Sequence, residues 1–119
     1  MTAYVLAKTL ASDATIAAAL ANSHSQAVNP SAGQAPTNPQ TQTFEVVATT
    51  TSGNVTATVQ VYASNDGVNW VAYGSPITIA SGASPQIGSG TGASPWQWYT
   101  ALVSALTGTG AQCTVTMGV

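Results

Sequence analysis

The feature that most constrains the fold of this chain is a strict alternation of apolar and polar residues near its middle. The two interleaved sets are Val55, Ala57, Val59 and Val61, and Thr56, Thr58, Gln60 and Tyr62. A period of two residues is that of a β-strand with one buried face, and it does not match the 3.6-residue period of an amphipathic helix. The same alternation recurs in residues 43–50 and 112–119. The chain is therefore predicted to be built from strands.

Turn-forming residues separate these strands. Residues 51–54 and 108–110 are rich in glycine and small polar residues, and residues 64–67 read Ser-Asn-Asp-Gly, which tolerates positive φ. Further strands are predicted at residues 70–73, 76–80 and 96–103, whereas the Gly/Ser/Pro-rich residues 81–95 are predicted to form a loop. About six short strands separated by turns indicate an all-β fold, an antiparallel β-sandwich or jelly-roll-like domain.

The amino-terminal third has a different composition. Residues 1–21 are rich in alanine and allow two interpretations: a helix over residues 13–21 capped by Ser12, or an extended arm over residues 4–10. Residues 22–42 hold three prolines and almost no large apolar side chain, which is typical of a linker. We therefore predict an N-terminal arm and Pro/Ser-rich linker at residues 1–42, which reaches to a neighbouring molecule, and a β-sandwich domain at residues 43–119.

Charge is almost absent. Charged residues make up 3% of the chain, compared with roughly 25% in an average soluble domain. One lysine and no arginine cannot neutralise a nucleic-acid backbone or form a polybasic membrane patch, so neither partner is expected. A net charge of −2 gives little self-repulsion, and a Thr/Ser-rich surface loses little hydration energy in an interface. Dense packing against copies of itself is one interpretation, and simple tolerance of a neutral surface is the other.

The titratable residues do not predict a reactive site. Asp13, Glu45 and Asp66 lie on different predicted elements, and His24 lies at the edge of the linker, a poor platform for catalytic geometry. The Ser-Asn-Asp turn at residues 64–66 offers a single carboxylate, too few oxygen ligands for calcium. We expect no enzyme activity, no metal and no cofactor.

One cysteine and the first residues bear on the compartment. Cys113 has no second cysteine to pair with and falls in an alternating segment, so it is predicted to be a buried, small apolar residue. The first residues lack the order of a signal peptide, and polar residues interrupt their apolar ones too often for a membrane-spanning helix. We expect synthesis in a cytoplasm without secretion.

Aromatic residues supply the candidate interface. Trp96, Trp98 and Tyr99 follow a glycine-rich loop, where aromatic rings stack on sugars or anchor protein partners. For Trp98 and Trp70 the alternative is packing in the sandwich core, whereas the position of Trp96 directly after Pro95 favours an interface. The candidate interface residues are Tyr4, Leu6, Trp96, Trp98 and Tyr99.

Two segments carry a resemblance to a known family. The segments are VQVYASNDGVNWVAYGSPITI, residues 59–79, and WYTALVSALTGTGAQCTVTMG, residues 98–118. Over residues 59–119 the chain resembles small β-sandwich virion proteins of tailed bacteriophages, which serve as capsid decoration or cement proteins, neck or tail components, or fibre modules.

The resemblance implies a non-enzymatic virion protein, made in the host cytoplasm and located in the virion, that decorates and stabilises a capsid. Its implied partners are copies of itself, as a homotrimer or another symmetric oligomer, and the major capsid protein or another virion protein. The alternatives are a carbohydrate-binding or adhesion module, and a self-assembling tail-tube or filament subunit.

Overall fold

A computed structural model describes residues 3–30 and 41–119 of the chain. In chain order the elements are β1 (Ala3–Thr9), α1 (Ile16–Ala21), β2 (Gln42–Thr49), β3 (Ser52–Ser64), β4 (Val71–Ala72), β5 (Ile77–Ala83), β6 (Gln86–Gly92), β7 (Trp98–Thr109) and β8 (Gln112–Gly118). Strands dominate and pair antiparallel in two sheets, which confirms the predicted all-β, sandwich-like fold.

The two sheets have four strands each. Sheet A has the order β1-β8-β2-β6. In sheet B, β3 lies in the centre, with β7 along one side and β4 and β5 along the other. The chain changes sheets four times, between β2 and β3, β5 and β6, β6 and β7, and β7 and β8, so the two strands joined at each of these points lie in opposite sheets.

The core lies between the inner faces of the sheets and uses the alternating residues predicted from the sequence. Its side chains include Phe44, Val46 and Ala48 from β2, Val55, Ala57, Val59 and Val61 from β3, and Cys113, Val115 and Met117 from β8. The predicted burial of Cys113 is confirmed, and burial raises the pKa of its thiol to about 11. Among the described residues, no helix is long and apolar enough to cross a membrane.

The described part of the predicted arm belongs to the sandwich. Strand β1 pairs with β8, and Leu6 is completely buried, so the extended interpretation holds for this stretch. The helix is shorter than predicted: it begins at Ile16 and is capped by Thr15, whose hydroxyl accepts a hydrogen bond from the Ala18 amide. Ser12 is not the cap, because the helix begins only at Ile16. The amide of Asp13 donates to the Val103 carbonyl, which holds Asp13 beside β7. Residues 31–40 of the predicted linker lie outside the described residues.

The prediction of a loop at residues 81–95 is largely wrong. Strand β5 continues to Ala83, and residues 86–92 form strand β6, which pairs with β2 along its whole length. Glycine is required on its inner face, because a Cβ on Gly88 would come within 2.9 Å of Ile77 Cγ2. Composition concealed this strand, since glycines that weaken a strand prediction here allow the two sheets to approach closely.

Candidate interaction surface

The structure brings together one pair of titratable side chains that the sequence did not connect. His24 Nδ1 donates to Asp13 Oδ2 over 2.6 Å, and Asn22 Nδ2 donates to Asp13 Oδ1 over 3.1 Å. Burial acts to raise the pKa of Asp13, but the hydrogen bonds from His24 and Asn22 outweigh it, so the pKa lies below its ordinary value. Asp13 precedes α1 and His24 follows it, so this hydrogen bond connects the two ends of the segment that contains the helix.

A second acidic residue with several hydrogen bonds, Asp66, is part of a turn. Asp66 accepts hydrogen bonds from the Ser64 hydroxyl, from the amides of Val68 and Asn69, and from the Asn69 side chain. The two backbone amides and these side chains place the pKa of Asp66 well below its usual range. The predicted turn is confirmed, and its carboxylate is occupied in shaping it. Within residues 3–30 and 41–119, no three His, Cys, Asp or Glu side chains come close enough to hold a metal ion.

The fold places the aromatic residues of the predicted interface in different environments. Tyr99 is completely buried between the sheets, and its ring lies 5.8 Å from that of Tyr73. Trp98 is half-buried, with its indole against Gly67 in the Asp66 turn. Trp96 is also half-buried and packs on the edge of the core, where its amide donates to the Tyr99 hydroxyl. Trp70 is half-buried as well.

The two amino-terminal candidates, Tyr4 and Leu6, also differ in burial. Leu6 lies in the core of the chain, and Tyr4 is half-buried on β1. Leu6 and Tyr99 were predicted as interface residues, but both have no exposed surface in this structure. Their side chains fill the chain's own core, so the five candidates do not form one surface.

A continuous exposed surface exists elsewhere, on the outer face of sheet A. We define this outer face by the outward side chains of its four strands: Ala3, Val5 and Lys8; Gln112, Thr114, Thr116 and Gly118; Thr43, Glu45, Val47 and Thr49; Ile87, Ser89 and Thr91. Lys8 and Glu45 are its only charges. Ile87, 66% exposed, and Val5, 40% exposed, are among its apolar residues.

The strand registers arrange these side chains in rows across the face. One row runs Val5, Thr116, Glu45 and Ser89. The next runs Lys8, Thr114, Val47 and Ile87. A shallow depression of about 330 Å³ lies on the face, where Ala3 and Gly118 leave room beside Phe44 and Ile87. The surface is therefore flat, rich in β-branched residues and nearly neutral.

A second depression opens between the two sheets beside β6. It has a volume of about 250 Å³, and its walls include Phe44, Tyr73, Pro76, Ile77 and Gly90. Tyr73 is fixed at this position because its hydroxyl bonds to Gln42 Oε1 over 2.6 Å and accepts from the Ser94 amide over 2.9 Å. No charged side chain lines this cleft.

The sequence did not predict the outer face of sheet A as a site. Its signal was present in residues 87–91, where Ile87, Ser89 and Thr91 alternate with glycine in the period of a strand.

Comparison of the chain with protein-family models, with curated proteins and with solved structures returned no match.

Proposed function

We propose that the chain is a non-enzymatic structural protein of a phage particle, a decoration or cement protein that binds a capsid through the outer face of sheet A. The observation that carries this proposal is the charge of that face. Four strands present a continuous surface on which Lys8 and Glu45 are the only charged residues.

The energetics of docking favour such a surface. Each charge buried in an interface loses hydration, and its new contacts must replace that loss. The rows of Thr, Val and Ile side chains lose much less, and their hydroxyls retain the capacity to hydrogen-bond across an interface. A neutral face also avoids repulsion between identical subunits that are placed close together on a shell.

The size of the face limits what one copy can do. Four strands at about 4.8 Å spacing and seven residues at about 3.4 Å give an area of about 450 Å². A stable protein–protein interface has about 800 Å² on each partner. One copy therefore binds weakly through this face alone, and firm attachment to a shell requires several copies acting together, in agreement with a symmetric oligomer.

The assignment to phage particles depends on the resemblance of residues 59–119 to virion proteins. In the structure this region comprises β4, β5, β6, β7 and β8, the carboxy-terminal part of β3, and the Asp66 turn that joins β3 to β4. One carboxylate, that of Asp66, accepts from two backbone amides within this turn. The partners we propose are copies of the chain and the major capsid protein or another virion protein.

The test is co-sedimentation of the purified chain with capsids of the phage that encodes it, followed by cryo-electron microscopy of the pelleted particles. We expect ordered density at capsid symmetry positions with sheet A against the shell. Thr116→Lys, which adds a charge at the centre of the outer face, should abolish pelleting. Thr78→Lys is the matched control, since Thr78 is exposed on β5 in the other sheet.

Other outcomes of this experiment would replace the proposal. Equal pelleting of both variants would show that the outer face does not contact the shell. Filaments formed by the chain alone would indicate a tail-tube or filament subunit. A chain that leaves capsids bare and instead binds a glycan array would be an adhesion module, although the burial of Tyr99 removes one of the three rings expected to form its sugar platform.

A further inference from the structure

Strand β6 is an edge strand with one side unpaired. It pairs with β2 over Gln86–Gly92, and no other strand within the described residues pairs with it. Its remaining amides and carbonyls form a row about 24 Å long that no backbone group of residues 3–30 or 41–119 pairs with as a strand. Such an edge is a template for another strand.

Within the described residues, this edge lacks the common features by which proteins protect exposed strands. Residues 86–92 contain no charge and no proline, and their register with β2 is regular, without a bulge. At the opposite edge of the same sheet, β1 has a bulge between Val5 and Ala7 and a lysine at Lys8. Residues 24–26 also cover that edge: the Lys8 amide donates to the His24 carbonyl, and the Gln26 amide donates to the Leu6 carbonyl.

We propose that two copies of the chain pair through their β6 strands, antiparallel and about a two-fold axis. The four strands of sheet A in each copy then form one continuous sheet of eight. Opposite residues must face the same side of the sheet, so the two-fold axis lies midway between one residue of β6 and the same residue of the other copy. The register that pairs all seven residues places Ser89 opposite its own copy and Ile87 opposite the other copy's Thr91.

The charges around β6 permit this pairing. The nearest charge on the outer face is Glu45, directly opposite Ser89 on β2. In the paired sheet the two Glu45 residues are three strand spacings apart, about 14 Å. This separation exceeds the Debye length of about 8 Å at physiological salt, so their repulsion is largely screened. The contact between Ile87 and Thr91 also buries part of an exposed apolar side chain.

The closed opposite edge determines the type of assembly. A filament that grows by adding sheet A to sheet A needs both edges free, and residues 24–26 cover the β1 edge at Leu6 and Lys8. Only an isologous pair, β6 to β6, uses the same free edge twice, and such a pair closes on itself. The proposal goes beyond the proposed function, because the dimer forms without a shell. If a shell is bound, pairing doubles the outer face to about 900 Å².

The test is sedimentation velocity of the full chain over a concentration series, without capsids. We expect a monomer–dimer equilibrium for the wild type. Ser89→Lys places two like charges opposite each other at the two-fold axis and should weaken dimerisation about tenfold or more. Thr116→Lys is the matched control: Thr116 and Ser89 flank Glu45 on either side, so both variants place a lysine beside the same carboxylate. Only Ser89 lies on the edge, and Thr116→Lys should dimerise like the wild type.

Circular dichroism of each variant shows whether it is folded, and hydrogen exchange gives a second readout. Amides of residues 86–92 that face away from β2 should exchange more slowly in the wild-type dimer than in Ser89→Lys. A strictly monomeric wild type, a dimer unaffected by Ser89→Lys, or species that grow without limit would each overturn the proposal. These results are independent of the capsid experiment, because Thr116→Lys separates loss of shell binding from loss of the dimer.

Discussion

The two lateral sides of the sandwich are built differently. On the amino-terminal side, residues 11–30 run between the edges of the two sheets. They bond to β1 at Leu6 and Lys8, and to β7 at Tyr99 and Val103. The Ser25 hydroxyl donates to the Ala101 carbonyl between these two points on β7. On the opposite side, among the described residues, β6 and β5 each pair with one strand only.

This difference shows how a chain with so little charge controls its edges. Charged side chains on edge strands are a common defence against unwanted pairing, and this chain has only one lysine. It places that lysine on β1 and covers the same edge at Leu6 and Lys8 with its own backbone. Among the described residues, the β6 side has neither protection, which is consistent with an edge kept free for a partner.

The largest expected effect is at the closed side. Leu6→Ala removes a completely buried side chain from β1, where the covering segment is attached, and should lower the free energy of unfolding by about 2–5 kcal/mol. Leu10→Ala is the control, because Leu10 is 74% exposed and its truncation should change stability by less than about 0.5 kcal/mol. Urea unfolding followed by tryptophan fluorescence measures both. Similar values for the two variants would mean that β1 is not part of the core.

The second prediction tests whether β6, on the open side, packs against the core through its inner face. Gly88→Ala places a methyl group 2.9 Å from Ile77 Cγ2 and should destabilise the chain by about 1–3 kcal/mol, since the sheets must move apart. Ser89→Ala, on the outward face of the same strand, should change stability by less than about 0.5 kcal/mol. Thermal unfolding of the two variants side by side measures the difference. A neutral Gly88→Ala would indicate that β6 is loosely attached.

The smallest effect concerns the acidic residue that holds the closing segment. The pKa of Asp13 is lower in the folded chain than its ordinary value of 3.8, so its stabilisation is present above that value and is lost as the pH falls below it. Asp13→Asn should therefore cost about 1 kcal/mol at pH 7, and this difference from the wild type should shrink below about pH 4. Urea unfolding at pH 7 and pH 3 measures it.

The control for this prediction lies on the outer face of sheet A. Glu45→Gln changes an exposed carboxylate and should alter stability by less than about 0.5 kcal/mol at both pH values. A difference between Asp13→Asn and the wild type that persisted unchanged at pH 3 would show that the hydrogen bonds to Asp13 do not depend on its ionisation.

Sequence reasoning succeeded where a strand has one buried and one exposed face. Most inward residues of β2, β3 and β8 were assigned from their alternation with polar residues, whereas the buried Gln42 of β2 and Ala63 of β3 were not. It failed at β6, because the inward positions Gly88 and Gly90 have no side chain to create the pattern. At β7 the strand was predicted over residues 96–103, but its continuation to Thr109 was not. Thr100 and Leu102 are buried on the face opposite Tyr99, so this part of the strand has no exposed face.

The candidate site was less predictable than the fold. Trp96, Trp98 and Tyr99 were predicted as interface residues because they are close in sequence. Adjacent residues of a strand point to opposite faces, so Tyr99 enters the core while Trp98 lies against the Asp66 turn. The outer face of sheet A draws on four strands from both ends of the chain. Its neutrality follows from composition, whereas its continuity depends on the strand order.

Four properties of the chain could be read from its sequence: the antiparallel strands, most of the buried side chains of the alternating strands, the position of the Asp66 turn, and the near absence of charge for binding. These properties depend on local periodicity and composition. Two further properties became visible in the folded chain: residues 3–30 close one side of the sandwich, and a glycine-rich segment forms an edge that no second strand of the described residues pairs with. Those outcomes depend on which backbone groups find partners far away in sequence, and such pairing leaves no local pattern.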